Sequence, residues 1–259
     1  MNHISVLPTR AVLAAVVFAV ISGCSTPENP NDIHDPHERI NRVSHAVNKG
    51  ADRVFFKPAS AGYGSIVPQP VRTSLSNVAS YLDTPRSVMN DVLQGNLDDA
   101  GHNTMRFLVN TTIGVLGLFD PATSDFGLEE RETGFADTLA VWGAPSGAYL
   151  ELPLFGPSTE RDAIGLAADI LANPLAAVSD QGTELAALTS LPSVLNSRHE
   201  FGDTVDSILY ESADSYAQLR LYYLDSRRFE LSGQTSAENA FDPYENLYEE
   251  VYEGLYDEF

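Results

Sequence analysis

The chain has 259 residues, 15 Lys plus Arg against 36 Asp plus Glu, a formal net charge of −21 and a single cysteine. That charge excludes binding to nucleic acid through its phosphates, and one thiol excludes an internal disulfide framework. The length permits a packed core, read as one domain with appendages.

The N-terminus carries Arg10, runs apolar from Ala11 to Ile21 and ends in Ser22-Gly23-Cys24. A weakly basic start, about ten apolar residues and small residues at the end read as an export signal over 1–23, too short to span a bilayer. The stretch Ile21-Ser22-Gly23-Cys24 resembles the lipobox of bacterial lipoproteins. That resemblance implies cleavage between Gly23 and Cys24 and a covalent acyl/diacylglycerol anchor on Cys24, with no other cofactor. An ordinary signal peptide is the alternative, but it leaves an unpaired thiol in an exported chain without explanation. Ser25, rather than Asp, follows the cysteine; by the sorting rule of enteric lipoproteins this favours the outer membrane, on its periplasmic side. Removing 1–23 takes away Arg10 and leaves 14 basic against 36 acidic side chains. Membrane contact is therefore expected from acyl chains and apolar faces rather than from a basic patch. After Cys24 no apolar run reaches spanning length without a charge or proline.

Residues 24–34 are polar and proline-bearing, and they read as a tether. Asp35-Pro36-His37-Glu38 has the form of a capping box with proline at the first helical position. Ile40, Val43, Val47, Ala51 and Val54 then recur on one helical face, and the helix is expected to end near Lys57-Pro58. Ala61 to Ser65 reads as a Gly-rich turn that lacks what a phosphate cradle needs. A helix carrying Val71, Leu75, Val78 and Leu82 follows. Thr84-Pro85 reads as the cap of a new one that Gly95 ends in a left-handed conformation, and a further helix spans about Leu97 to Thr112. His34 and His37 lack a third ligand and read as solvated, so no metal site is expected.

The run Gly114-Val115-Leu116-Gly117-Leu118-Phe119 is apolar and glycine-punctuated without an amphipathic period. Two readings stand: a buried turn of the core, or an element resting in the acyl region of a lipid layer. Tyr149 to Leu154 reads as a short extended piece closed by Gly156-Pro157; Glu151 reads first as its outward polar side, with a buried, functional carboxylate as the alternative. The stretch 163–171, extended by Asn173 to Val178, is apolar almost all round and reads first as a core helix packed through small residues. Short capped helices with few strands make a mainly α protein.

Taken in order, several segments resemble one family. They are Asp35 to Arg42, Val67-Pro68-Gln69-Pro70-Val71-Arg72, Leu75-Ser76-Asn77, Leu93-Gln94-Gly95, Arg106 to Thr111, Gly114 to Asp120, Phe135 to Leu139, Trp142-Gly143, Gly147 to Ser158 and Arg161-Asp162. Together they are similar to the MlaA (VacJ) family of outer-membrane phospholipid-transport lipoproteins, over roughly residues 33 to 230. The resemblance implies a ring-like assembly of amphipathic helices with little β structure, lying in the inner leaflet of the outer membrane around an amphipathic channel. It implies removal of mislocalised phospholipids from the outer leaflet to preserve lipid asymmetry. Its partners would be phospholipid, an outer-membrane porin trimer and a periplasmic MlaC-like lipid carrier. Residues 114–119 are the candidates for lipid contact.

An enzyme is not expected. His34, His37, His45, His102 and His199 stand beside no recognisable nucleophile motif. The alternative from another class is an envelope scaffold that recruits periplasmic or barrel proteins without moving lipid. The body is read over 35–231 and an acidic tail over 232–259, where Tyr244, Tyr248, Tyr252 and Tyr256 recur every fourth residue. That tail reads as disordered or as a helix that folds on a partner.

Overall fold

The computed structural model describes residues 33–171 and 180–233, with side chains described for all of these except 180–189 and 233. The export signal, Cys24, the tether before Ile33, the stretch Asn173–Val178 and the tail from 234 lie outside the described residues.

Helix α1 spans Glu38–Ala51 and passes through a π-helical turn, Asp52–Phe56, straight into α2, Lys57–Ile66. The expected stop at Lys57-Pro58 and the expected turn at 61–65 are both overturned. Pro58 falls in the first turn of α2, where its missing N–H costs little. Gly64 lies so close to the His199 ring that a Cβ would overlap it, so this glycine serves helix packing rather than a turn. The expected capping box does not form either. His37 is the N-cap and makes no side-chain bond. Asp35 instead turns inward, accepting from Asn41 Nδ2 at 2.9 Å, from Arg220 at 2.5 Å and from the Tyr216 hydroxyl.

Helix α3 runs unbroken over Gln69–Gln94 with Pro85 inside it, where a new helix was expected. An interior proline costs about 3 kcal/mol, and the tertiary bonds of the buried face Thr84, Ser87, Asn90 and Asp91 hold the helix through it. Gly95 caps it at φ 75°, as its position predicts. Asn96 caps α4, Leu97–Thr112, through a bond from Asp99 N. Asp120 caps the short α5, Pro121–Ser124, and α6 spans Phe135–Val141.

The only strands among the described residues are β1, Tyr149–Leu152, and β2, Gly156–Thr159, an antiparallel hairpin pairing Tyr149 with Thr159 and Leu152 with Gly156. Gly156-Pro157 therefore opens β2 rather than closing a turn. Helix α7 covers Glu160–Leu171 and α8 Asp180–Glu200. Then follow α9, Gly202–Asp206, a second π-helical turn, Ser207–Glu211, and α10, Ser215–Gly233.

The packing closes on itself. Helix α2 packs on α8, α8 on α3, α3 on α4 and α6, α6 on α7, α7 on the hairpin, and β1 back on α1. A mainly α chain with one hairpin is thus laid out as a circuit of helices rather than in layers. No described helix is long and apolar enough to cross a membrane.

Candidate functional site

The helices are turned inside out. Among the described residues, nineteen buried side chains are polar or charged and eight are apolar or aromatic, four of these beyond alanine. The apolar stripe of α1 faces outward: Ile40 is 66% exposed, Val54 80%, and Val43 and Val47 are exposed between them. Its buried residues are Asn41 and His45, followed by Asp52 in the π turn. Helix α4 buries Asn103, Arg106 and Asn110 while exposing Met105 and Leu108. In α7, Arg161 and Asp169 are buried and Ile170 and Leu171 exposed. Burying one large apolar side chain contributes about 1.5–3 kcal/mol. Large apolar side chains exposed in this number need an apolar medium against them.

Most interior polar groups are paired; among the described residues the buried Tyr63 hydroxyl and the Nε of Arg72, Arg86, Arg220 and Arg227 are the exceptions. Asn90 donates to Asp169 at 3.3 Å and accepts from Thr138 Oγ1 at 3.0 Å, joining α3, α7 and α6. Arg106 meets Asp120 at 2.8 Å, Thr123 Oγ1 at 2.5 Å and the Leu128 carbonyl at 2.6 Å. Burial alone would push the Asp120 carboxyl up. Hydrogen bonds from Thr123 and Asn110, with the Arg106 guanidinium, hold it below its usual range.

The expected outward Glu151 is corrected: its side chain is fully buried. It accepts from Asn48 at 3.2 Å and from the Tyr149 hydroxyl at 3.3 Å, and it lies 2.9 Å from His45 Nδ1. The other ring nitrogen of His45 is 2.9 Å from Ser215 Oγ. Nothing in the spacing of these residues announces a Ser-His-Glu series, because they are gathered from α1, β1 and α10. The trio ties those elements together. The backbone N–H of Ala217, which could serve as an oxyanion donor beside Ser215, is occupied by Asp214 Oδ1 at 3.2 Å. Among the described residues no three His, Cys, Asp or Glu gather as a metal set.

The run 114–119 is a tight turn after α4. Gly114 and Gly117 are buried, whereas Val115, Leu116, Leu118 and Phe119 are exposed. Val115 and Leu116 hold φ of 53° and 57°, and Gly117 81°. Left-handed backbone at a β-branched residue is strained, by about 1–3 kcal/mol. The turn is held by Gly117 N to Asn110 O and Phe119 N to Gly114 O, both 2.9 Å. Gly117 is pressed on Tyr81, where a Cβ would overlap the ring, and Tyr81 stacks on Phe107 with centroids 4.9 Å apart.

Beside this turn lies an open groove of about 840 Å³. Helix α3 brings Gln69, Thr73 and Asn77 to it, and the turn brings Ile113 and Phe119. Polar and apolar linings thus meet in one space, as a headgroup and its tails require.

The MlaA lipoprotein family model matches residues 33–230. The chain belongs to that family. It is 31% identical over 77% of its length to an uncharacterised protein of Rickettsia bellii, covering 77% of that protein. It is 30% identical to the intermembrane phospholipid transport system lipoprotein MlaA of Haemophilus influenzae, over 63% of this chain and 68% of that one. Among solved structures it is similar to one described as "Structural basis for maintenance of bacterial outer membrane lipid asymmetry". That match has a TM-score of 0.66 at 30% identity and covers 76% of this chain and 98% of the other.

For this MlaA-family chain, the signal that sequence reading passed over is the polar face of α1. Asn41, His45, Asn48 and Asp52 recur at helical spacing opposite the valines. They form the interior side of the helix, with Asn41, His45 and Asp52 buried and Asn48 half-buried.

Proposed function

We propose that this chain is an outer-membrane lipoprotein that takes mislocalised phospholipid from the outer leaflet and passes it to a periplasmic carrier. The observation that carries this reading is the inversion of the helices, apolar outward and hydrogen-bonded inward, around a circuit with an amphipathic groove. The names borne by the Haemophilus relative and the solved neighbour agree with it. A helical circuit satisfies its own backbone while its outer side chains meet acyl chains.

Cleavage after Gly23 and acylation of Cys24 anchor the protein on the periplasmic side. The exposed side chains of Val115, Leu116, Leu118 and Phe119 contact lipid tails, while Gly114 and Gly117 set the turn that presents them. An outer-membrane porin trimer and an MlaC-like carrier are the partners this reading supplies.

Surface-exposed phospholipid, compared between cells lacking the protein and the same cells complemented, tests the proposal. Accumulation reversed by complementation is expected. Unchanged surface lipid, with the wild-type protein present and acylated, contradicts it.

A further inference from the structure

The two π-helical turns among the described residues meet each other. Asp52 of the first accepts from the Tyr210 hydroxyl of the second at 2.7 Å, and Arg53 of the first lies 5.2 Å from the Tyr210 ring centroid. Lys49 and Lys57 flank the same ring at 5.5 and 4.7 Å. Single π turns inside helices concentrate at functional sites.

Lys49, Arg53 and Lys57 stand at i, i+4 and i+8, where like charges destabilise a helix by about 0.2–0.5 kcal/mol per pair. The fold relieves only part of this. Lys57 pairs with Asp206 at 2.6 Å, and Arg198 is bidentate to Asp52 at 2.7 and 3.0 Å. Lys49 spends one of its three donors on Ser215 Oγ at 3.1 Å. Arg53 has no carboxylate or hydrogen-bond partner among the described residues. Around Tyr210, four cations thus face two carboxylates, in a chain whose net charge is −21. Glu211, which ends the second π turn, bonds to none of them. This is the basic patch that overall charge conceals.

We propose that the junction of the two π turns binds the phosphodiester of an anionic phospholipid headgroup, with Lys49 and Arg53 supplying the free donors. The two need an acceptor that carries charge, and a phosphate oxygen answers both. Val54 and Phe55, exposed beside Arg53, supply an apolar neighbour that a free phosphate would not use. The lipid in this assignment rests on the transport reading above; the anion site does not.

The test is native mass spectrometry of the full acylated chain, released from detergent with phosphatidylglycerol, phosphatidylcholine or inorganic phosphate. One phosphatidylglycerol is expected to bind in preference to phosphatidylcholine. The Lys49→Gln/Arg53→Gln double variant is expected to bind it at least about tenfold more weakly. Arg228→Gln, which removes an exposed charge elsewhere, should bind as the wild type does. Equal binding by the double variant, with its fold verified by circular dichroism, overturns the site. Displacement of the lipid by equimolar inorganic phosphate overturns the lipid assignment. Binding that depends on Lys49 and Arg53, in a protein whose deletion leaves surface phospholipid unchanged, retains the site and rejects the transport reading.

Discussion

Asn41 and Asn48, two helical turns apart on α1, together take the place of a strand alongside β1. Asn41 donates to the Tyr149 carbonyl at 2.9 Å and accepts from Glu151 N at 3.0 Å. Asn48 donates to the Leu152 carbonyl at 3.0 Å and accepts from Leu154 N at 2.6 Å. Seven residues of helix rise about 10.5 Å and three of strand about 10 Å, so the two amides fall in register with the free edge of the hairpin.

Asn41→Ala leaves a buried carbonyl and a buried N–H of β1 unpaired. A loss of about 1–3 kcal/mol per group is expected, read as a lower unfolding midpoint of the purified full chain. Asn48→Ala, being less buried, should cost less. An unchanged midpoint in Asn41→Ala would mean the hairpin edge is satisfied in another way.

Arg106→Met should be among the most damaging substitutions. It takes the cation from the Asp120 carboxylate, which keeps its bonds from Asn110 and Thr123, and removes the bonds to Thr123 and Leu128; breaking a buried pair from one side costs up to about 3–5 kcal/mol. Denaturant unfolding checks this, with Arg228→Met as the exposed control expected to shift little.

The strained turn gives a prediction of opposite sign. Val115→Gly removes the penalty of φ 53° at a β-branched residue and should raise stability by about 1 kcal/mol. Gly117→Ala places a Cβ into Tyr81 at φ 81° and should lower it. Thermal melts of the two variants should move in opposite directions; movement in the same direction would reject the strain.

Acid should destabilise the join between α1 and α10. Arg42 holds the Asp214 carboxyl down at about 2, from 3.8. Asp162 is also lowered: burial opposes this, but Arg227, the Tyr223 hydroxyl and Arg161 prevail. A depressed carboxylate contributes stability above its unfolded value and loses it as pH falls through the folded one. Asp91 and Glu130, raised by burial, act in the opposite sense. Melting midpoints between pH 3.8 and about 2 should fall for the wild type and fall less for Asp214→Asn. Parallel curves would remove Asp214 from the account.

Local geometry was legible in the sequence, and solvent was not. Gly95 and the span Leu97–Thr112 follow from capping rules that involve only neighbouring residues. Pro85 and Gly64 mislead, because the contacts that override them come from α6, α7 and α8, far along the chain, and Pro58 misleads because it falls in the first turn after a π-helical turn. The spacing of Ile40, Val43 and Val47 establishes an apolar face but not its orientation, since a period of 3.6 is the same for a core helix and for one facing lipid. The ordered motifs from Asp35 to Asp162 carry the family; within them the groove residue Asn77 carries no individual mark, whereas Phe119 ends the apolar run 114–119 that the sequence singles out.

The central claim is that phospholipid occupies the groove between α3 and the 113–125 segment. Photo-cross-linking residues placed at Asn77 and Phe119, in cells grown with radiolabelled phosphate, test it most directly. Labelled lipid adducts at both positions, and none at the exposed Asp98, are the predicted result. No adduct at either groove position, or equal labelling at Asp98, would contradict it.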